Sequence, residues 1–312
     1  MTTQEWGAVS ASKGPDQALA LELVRATETA AIESARWVGR GQQNSRKTAT
    51  ATALHERLMF VPMCGVVVIG DDDSVDTPLL CTGDEAGFGD SPLYDLGIGL
   101  GGPQAPLQNA PSALVSIVVA ERGALNVPSQ AGLVDMLAVG PDCVDVVDIT
   151  QSVATNLWAI AAVKRIRIAD VEVAVPDRSR QDLVNEVREA GARVRVPQGG
   201  EIAGAIAAAW PDSSVDLLLG TGTAAESVIA AAAVSCLGGS FQIRLRTGGV
   251  EEVLRTDDLV RGERVLFSGT AVTASELLRG VRYKAGRVTT QSIVLCSRPE
   301  TSWTITSEHR HP

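Results

Sequence analysis

Apolar positions recur at helical spacing from Asp16 to about Val38, with Leu19, Leu23, Ala26, Ala30 and Trp37 along one stripe. Pro15 and Asp16 form a start signal, and Gly39 with Gly41 a stop. A second helix is predicted over Thr48–Phe60. The run Gly65-Val-Val-Val-Ile-Gly70 predicts a buried strand that opens into an acidic loop, Asp71 to Asp76. Further strands are predicted at Leu79–Thr82, Tyr94–Leu100, Ala113–Ala120 and Leu133–Val139. Beyond residue 150 the period alternates regularly. Helix Val153–Lys164 leads to strand Val171–Val175, helix Gln181–Ala190 to strand Arg193–Val196, and helix Ile202–Ala209 to strand Val215–Leu219, followed by helix Ala224–Cys236. The last part predicts strands at Arg264–Phe267 and Thr289–Cys296 with a short helix at Ala274–Leu278. Such alternation predicts α/β layering with parallel strand pairs. Residues 1–14 read as a flexible tail, 15–140 as one α/β half and 141–312 as a second. No low-complexity linker separates the halves, so they are expected to share one body.

Composition narrows the picture. A chain of 312 residues that is 45% hydrophobic and 21% charged can bury a large core, which excludes a disordered protein. Its 37 acids against 27 bases give a net charge of -10, and no basic patch stands out along the chain. That balance argues against nucleic acid as a partner and fits a small-molecule ligand. The first residues lack a charged-then-apolar leader, and the most apolar run, Ser227–Cys236, is too short for a bilayer. The expectation is therefore a cytoplasmic protein with no membrane partner. Five scattered cysteines, none at C-x-x-C spacing, fit reduced thiols. Of three histidines only His55 lies away from the C-terminus, so a histidine-rich metal site or a Ser-His-Asp triad is not expected. His55 itself reads as structural. Trp158, Trp210 and Trp303 sit at amphipathic positions and read as packing residues.

Several stretches together resemble one family. Ala26-Thr-Glu-Thr-Ala-Ala, then Trp37-Val-Gly-Arg-Gly41 and Asn44, are similar to the opening of class II fructose-1,6-bisphosphatases of the GlpX type. Val67-Val-Ile-Gly70, followed by acids and Pro78, resembles that family's V-I-G-E-G-E-x-D-x-x-P loop. Asn156-Leu157, Asp177-Arg-Ser-Arg180, Gly220-Thr-Gly-Thr-Ala-Ala-Glu226 and Phe267-Ser-Gly-Thr-Ala-Val-Thr273 are similar to further motifs, in the family's order. The resemblance implies the layered α/β/α/β/α sugar-phosphatase fold, which is inositol-monophosphatase-like. It also implies hydrolysis of fructose-1,6-bisphosphate or sedoheptulose-1,7-bisphosphate with Mg²⁺ or Mn²⁺ held by carboxylates, and a homo-oligomer.

Residue by residue the match is incomplete. Where the family places a catalytic Asp after its first loop, this chain has Lys47, preceded by Arg46. The D-P-x-E-G-T metal motif falls on Gly99-Leu-Gly-Gly-Pro-Gln104, so Gly99 and Gly102 stand where acids belong, with Gly101 between them. Asp71 and Asp73 replace the two loop glutamates, and Glu226 keeps its acid. The P-D-G-D of the substrate side becomes Pro197-Gln-Gly-Gly200, and the Tyr two residues before an acid becomes Leu133. The expectation that follows is a degenerate site with no required cofactor and at most a weakly held Mg²⁺. Lys47, Asp71, Asp73 and Glu226 would carry acid–base chemistry in a repurposed, metal-independent enzyme. Arg178 and Arg180 would grip an anion, Gly99, Gly101 and Gly102 would floor an apolar pocket, and Gly220 and Gly222 would cradle an anion at a helix start. Each has a plainer reading: Lys47 and the loop acids facing water, the arginines as solvated charge, the glycines permitting a turn. Two alternatives stand beside the repurposed enzyme: a non-catalytic binding or partner protein, and a residual Mg²⁺-dependent fructose-1,6-bisphosphate phosphatase.

Overall fold

The helical period of the first forty residues resolves into α1 (Ala20–Ala35), entered through a 3-10 turn at Gln17–Leu19. Gly39 and Gly41 take positive φ values of 77° and 70°, a conformation that glycine adopts cheaply, and so stop it as expected. There follow α2 (Gln43–Leu58), β1 (Cys64–Ile69), β2 (Glu85–Ala86), β3 (Leu93–Gly99), β4 (Leu114–Glu121) and β5 (Leu133–Val139). The second half continues with α3 (Val153–Lys164), β6 (Glu172–Ala174), α4 (Gln181–Glu189), β7 (Arg193–Arg195), α5 (Gly200–Ala209), β8 (Leu217–Thr223) and α6 (Ala224–Ser235). The chain closes with β9 (Ser240–Thr247), β10 (Val250–Arg255), α7 (Thr256–Leu259), β11 (Val265–Ala271), β12 (Arg282–Lys284), β13 (Arg287–Ser297) and β14 (Glu300–Arg310). This computed structural model describes residues 15, 17–70, 79–89, 93–101, 114–129, 132–176, 180–247 and 250–310. The expected tail, residues 1–14, lies outside them.

Among the described residues the strands form two sheets. One has the order β12-β13-β11-β4-β3-β1-β2, with β14 paired along β13. The other has the order β10-β9-β5-β8-β6-β7. Three apolar clusters show the layering. Helices α1 and α2 bury Leu23, Leu54 and Leu58 with Val67, Leu96 and Val119 on the outer face of the first sheet. Helices α5 and α6 bury Ile206, Val228 and Ile229 between the sheets, with Val118 and Phe267 of the first and Met136 and Ile243 of the second. Helices α3 and α4 cover the far face of the second sheet with Leu157, Ile160 and Val187. The result is the α/β/α/β/α arrangement expected from the resemblance. The central helices are built from small residues, Gly-Glu-Ile-Ala-Gly-Ala-Ile-Ala-Ala-Ala in α5 and a run of four alanines in α6, so both sheets approach them closely.

The outer helix α1 also meets its sheet through polar side chains. Thr290 donates to buried Glu28 at 2.9 Å, Thr270 donates to Thr27 at 2.7 Å, and His309 of β14 stands 3.6 Å from Glu28. These bonds give the buried Thr27 and Glu28 side chains partners and fix how α1 sits, whereas Ser34 Oγ of the same helix has none among the described residues. No helix of the described residues is long and apolar enough to cross a membrane.

Several boundaries differ from expectation. The predicted strand Leu79–Thr82 is an irregular return, with Leu80 at φ 61°, and pairing resumes at β2. The predicted helix Ala274–Leu278 is a turn, because Ser275 Oγ accepts from the Leu277 and Leu278 amides and outcompetes helical bonding. Helix α2 starts five residues early, in a polar stretch with no apolar period. Strands β9, β10 and β14 were not expected. Parallel pairing holds for β6 with β7 and β8, whereas β5 and β9 join antiparallel, so the second sheet is mixed.

One buried charge ties the start of β3 to the turn after β4. The Asp95 side chain, 1% exposed, accepts from the amides of Gly123 at 2.8 Å and Leu125 at 3.2 Å and pairs with Arg122. Asp95→Ala leaves the buried Leu125 amide and the Gly123 amide without their acceptor and is expected to lower unfolding free energy by about 2–4 kcal/mol, read from urea denaturation with an unchanged slope.

Candidate functional site

β1 and β3 run parallel, so both carry their C-terminal ends to the same side of the first sheet. At that side the chain leaves β1 at Gly70 and returns past it at Leu80. A Cβ on Gly70 would stand 2.1 Å from the Leu80 carbonyl oxygen, so only glycine allows this crossing. The acidic segment containing Asp71 and Asp73 springs from this neck but lies outside the described residues, as do Gly102 and Arg178. Gly101 is described and holds φ 62° just beyond β3.

Gly99 ends β3 facing the central helix layer. A Cβ there would meet Ser116 Oγ of β4 at 2.5 Å and approach Ile229 and Ile202 at 3.7 and 3.8 Å. The space of the expected acid is therefore occupied by a serine hydroxyl and two isoleucines. Ser116 is fully buried, and its hydroxyl has no hydrogen-bond partner among the described residues. Ile229 sits on α6 one turn beyond Glu226, so Gly99 lies beneath the start of that helix. Thr223 caps α6: its Oγ1 accepts from the Glu226 amide at 3.3 Å and lies 3.3 Å from the Glu226 carboxylate. The cap satisfies the Glu226 amide, and the Thr223 hydroxyl donates to the Glu226 carboxylate, which stands at a positive dipole end.

The opening turns of α2 carry Arg46 and Lys47 and no acid in the first turn. Lys47 is half-buried. Arg46 is only 5% exposed, and its Nη1 has no hydrogen-bond partner among the described residues. Burial pushes the Arg46 guanidinium below its usual range. Arg46 and Lys47 place two cations in the opening turns of a helix, where they oppose its dipole.

The other half of the site lies at the end of β8. Gly220 and Gly222 were expected in a turn after a strand ending at Leu219, but β8 continues through both, since it pairs with β5 as far as Thr223. A Cβ on Gly222 would lie 2.6 Å from Met136 Cε, and one on Gly220 would lie 3.3 Å from Pro176. Both glycines make room for neighbours within the sheet. Beside them Asp135 of β5 holds two arginines: Arg244 of β9 donates to it at 2.9 Å, and Arg180 lies 3.5 Å away. Arg180 also bonds Asp182 at 3.1 Å. Its guanidinium is raised above its usual range, first by the Asp182 hydrogen bond and then by Asp135. Asp135 and Arg244 escaped the sequence reading. The signals available were an acid inside the apolar run Leu133–Val139 and an arginine alternating with Phe241, Ile243 and Leu245.

A divalent ion needs several carboxylates around one point. Among the described residues no three His, Cys, Asp or Glu side chains converge in that way. Glu226 is in place, but the Gly99 position offers a serine hydroxyl, and Arg46 and Lys47 add positive charge at the end of the fold where the acids were expected. The described residues do not by themselves fit the ion.

Residues 17–309 match the family described as bacterial fructose-1,6-bisphosphatase, glpX-encoded. The chain is 31% identical over 334 aligned positions to the D-fructose 1,6-bisphosphatase class 2/sedoheptulose 1,7-bisphosphatase of Synechocystis sp., covering 94% of this chain and 96% of that protein. It is 30% identical, with the same coverage, to the protein of that name from Nostoc sp.. These similarities overturn the expectation that no cofactor is required, because class II fructose-1,6-bisphosphatases depend on a metal ion. The expectation gave the replaced positions more weight than the acids that remain, Asp71, Asp73 and Glu226.

The buried guanidinium yields a stability prediction. Replacing a buried charge whose Nη1 has no partner among the described residues by an apolar side chain of similar volume removes its desolvation cost. Arg46→Met is expected to raise unfolding free energy by about 1–4 kcal/mol in urea denaturation.

Proposed function

Because the chain belongs to the bacterial class II fructose-1,6-bisphosphatase family of the GlpX type, we propose that it is a divergent phosphatase acting on a small phosphorylated substrate, with fructose 1,6-bisphosphate turned over slowly. The observation that carries this reading is the exchange of charge at the strand ends. What supports it is the presence of cations on α2 and of a buried serine beside Gly99, at positions to which the resemblance assigns carboxylates. Bases near the strand ends favour the binding of a phosphate group.

In this reading the chain's own groups divide the work. Lys47 faces the phosphoryl oxygens and balances charge as it builds. Glu226 and the loop acids Asp71 and Asp73 orient the attacking water and take its proton. As the water oxygen bonds to phosphorus, the bond from phosphorus to the sugar oxygen breaks and that oxygen acquires a proton. Arg180, steadied by Asp135 and joined by Arg178, grips the part of the substrate that does not react. The strand end at Gly99, Gly101 and Gly102 gives that part an apolar floor, and Gly220 and Gly222 let the second sheet approach it. A reducing cytoplasmic setting, consistent with five free cysteines, and assembly into a homo-oligomer complete the proposal.

Phosphate release tests it, with fructose 1,6-bisphosphate, sedoheptulose 1,7-bisphosphate and a panel of phosphate esters, each with Mg²⁺ or Mn²⁺ and with chelator. At least one other ester is expected to exceed fructose 1,6-bisphosphate in kcat/KM. Lys47→Ala and Glu226→Gln are each expected to lower kcat on the best substrate by about 10²-fold. Lys47→Asp is expected to raise hydrolysis of fructose 1,6-bisphosphate. Undiminished activity in both Lys47→Ala and Glu226→Gln, or no phosphate release from any ester with either metal, sinks the reading.

A further inference from the structure

The hairpin of β12 and β13 turns at Ala285–Gly286 and continues, through β13, into pairing with β14. Register places Lys284 opposite Arg287 and Arg287 opposite Arg310, three cations in a row across three strands. Like charges directly opposite one another weaken a sheet. Only Arg287 has an acid partner among the described residues, Glu308 of the adjacent row. Two residues along β12 stands Arg282, opposite Thr289, on the same face. Tyr283, between them, points the other way and donates to the Ile32 carbonyl of α1 at 2.7 Å. The cationic face is therefore the one turned away from α1.

This face forms a shallow concave pocket of about 110 Å³ lined by Arg279, Arg282, Lys284, Thr289, Gln291 and Thr306, among others. Its floor is tied together, since Gln291 Oε1 accepts from the Arg279 amide at 2.7 Å and Gln291 Nε2 lies 3.5 Å from Thr306 Oγ1. None of the three cations has a carboxylate partner among the described residues, and no acid lines the pocket. On a chain of net charge -10, an assembly of three unneutralised bases with hydroxyl donors is a local inversion of sign. The pocket opens where β11 ends, and the segment after β11 leans on the second half through Glu276, which accepts from the Gln198 amide at 3.0 Å.

We propose that this pocket is a phosphate-binding site that takes a phosphorylated small molecule, its dianionic group held by Arg279, Arg282 and Lys284 with the hydroxyls of Thr289 and Thr306. Two arginines and a lysine supply forked and point-charge donors for phosphate oxygens, and threonine hydroxyls complete the shell. The site shares no residue with the Lys47–Glu226 end and does not depend on the catalytic reading.

Calorimetric titration of the full chain with inorganic phosphate and with fructose 1,6-bisphosphate tests it, on a Glu226→Gln background that removes turnover. Binding of one phosphate group per chain beyond any held at the Lys47–Glu226 end is expected, weakening as salt rises. The triple change Arg279→Gln, Arg282→Gln, Lys284→Gln is expected to weaken it at least tenfold, and Arg282→Gln alone by a smaller factor. A charge-matched control at Arg25, Arg167 and Arg188 is expected to bind as the parent does. Stronger binding of the ester than of inorganic phosphate identifies a phosphorylated metabolite as ligand, and equal binding identifies free phosphate. Equal affinity of the triple change and its control overturns the proposal.

Discussion

Everything in this fold depends on two sheets closing onto one thin layer of helix. The alanine-rich α5 and α6 satisfy that constraint, because small side chains let both sheets pack to interior density against the same pair of helices. Once α6 is fixed there, its first turn projects from the layer with Glu226 capped by Thr223, and the ends of β3 and β8 meet it from either side. The site is a by-product of that closure. Its geometry is inherited from the packing of apolar residues that take no part in chemistry.

The chemistry at the site is set by which side chains occupy these inherited positions. Ser116 and Ile229 fill the volume beside Gly99, and α2 brings Arg46 and Lys47 to an end already made positive by the helix dipole. Burying the Arg46 guanidinium with its Nη1 lacking a partner among the described residues is costly, and a fold tolerates such a group only when the rest of its core is secure. Asp135 shows the opposite economy, one carboxylate serving two arginines from separate strands.

How much of this is legible in a sequence depends on whether the signal is local. Helix α3 was predicted to the residue, because its apolar run lies between Ser152, which caps it, and Arg165, which leaves it in a left-handed conformation. Strand β14 was missed because its alternation is carried by threonine and serine with only Trp303 and Ile305 as apolar markers. Lys47, Gly99 and Glu226 are candidates that motif positions alone bring to notice. Asp135 and Arg244 were not, since their meeting is a matter of register between β5 and β9, more than a hundred positions apart in the chain. The row of bases on β12, β13 and β14 escaped for the same reason: no window of the sequence contains it.

The neck at Gly70 and Leu80 has a consequence for descent. Because the first sheet itself pins the two ends of the acidic segment within contact of each other, closing that loop is accomplished by the fold and not by the loop's own residues. The segment is in effect a detachable cartridge. Its charges and length can drift with little penalty to folding, since loop-closure entropy grows only slowly with length. A lineage built on such a neck can exchange its reactive groups while its architecture stands still.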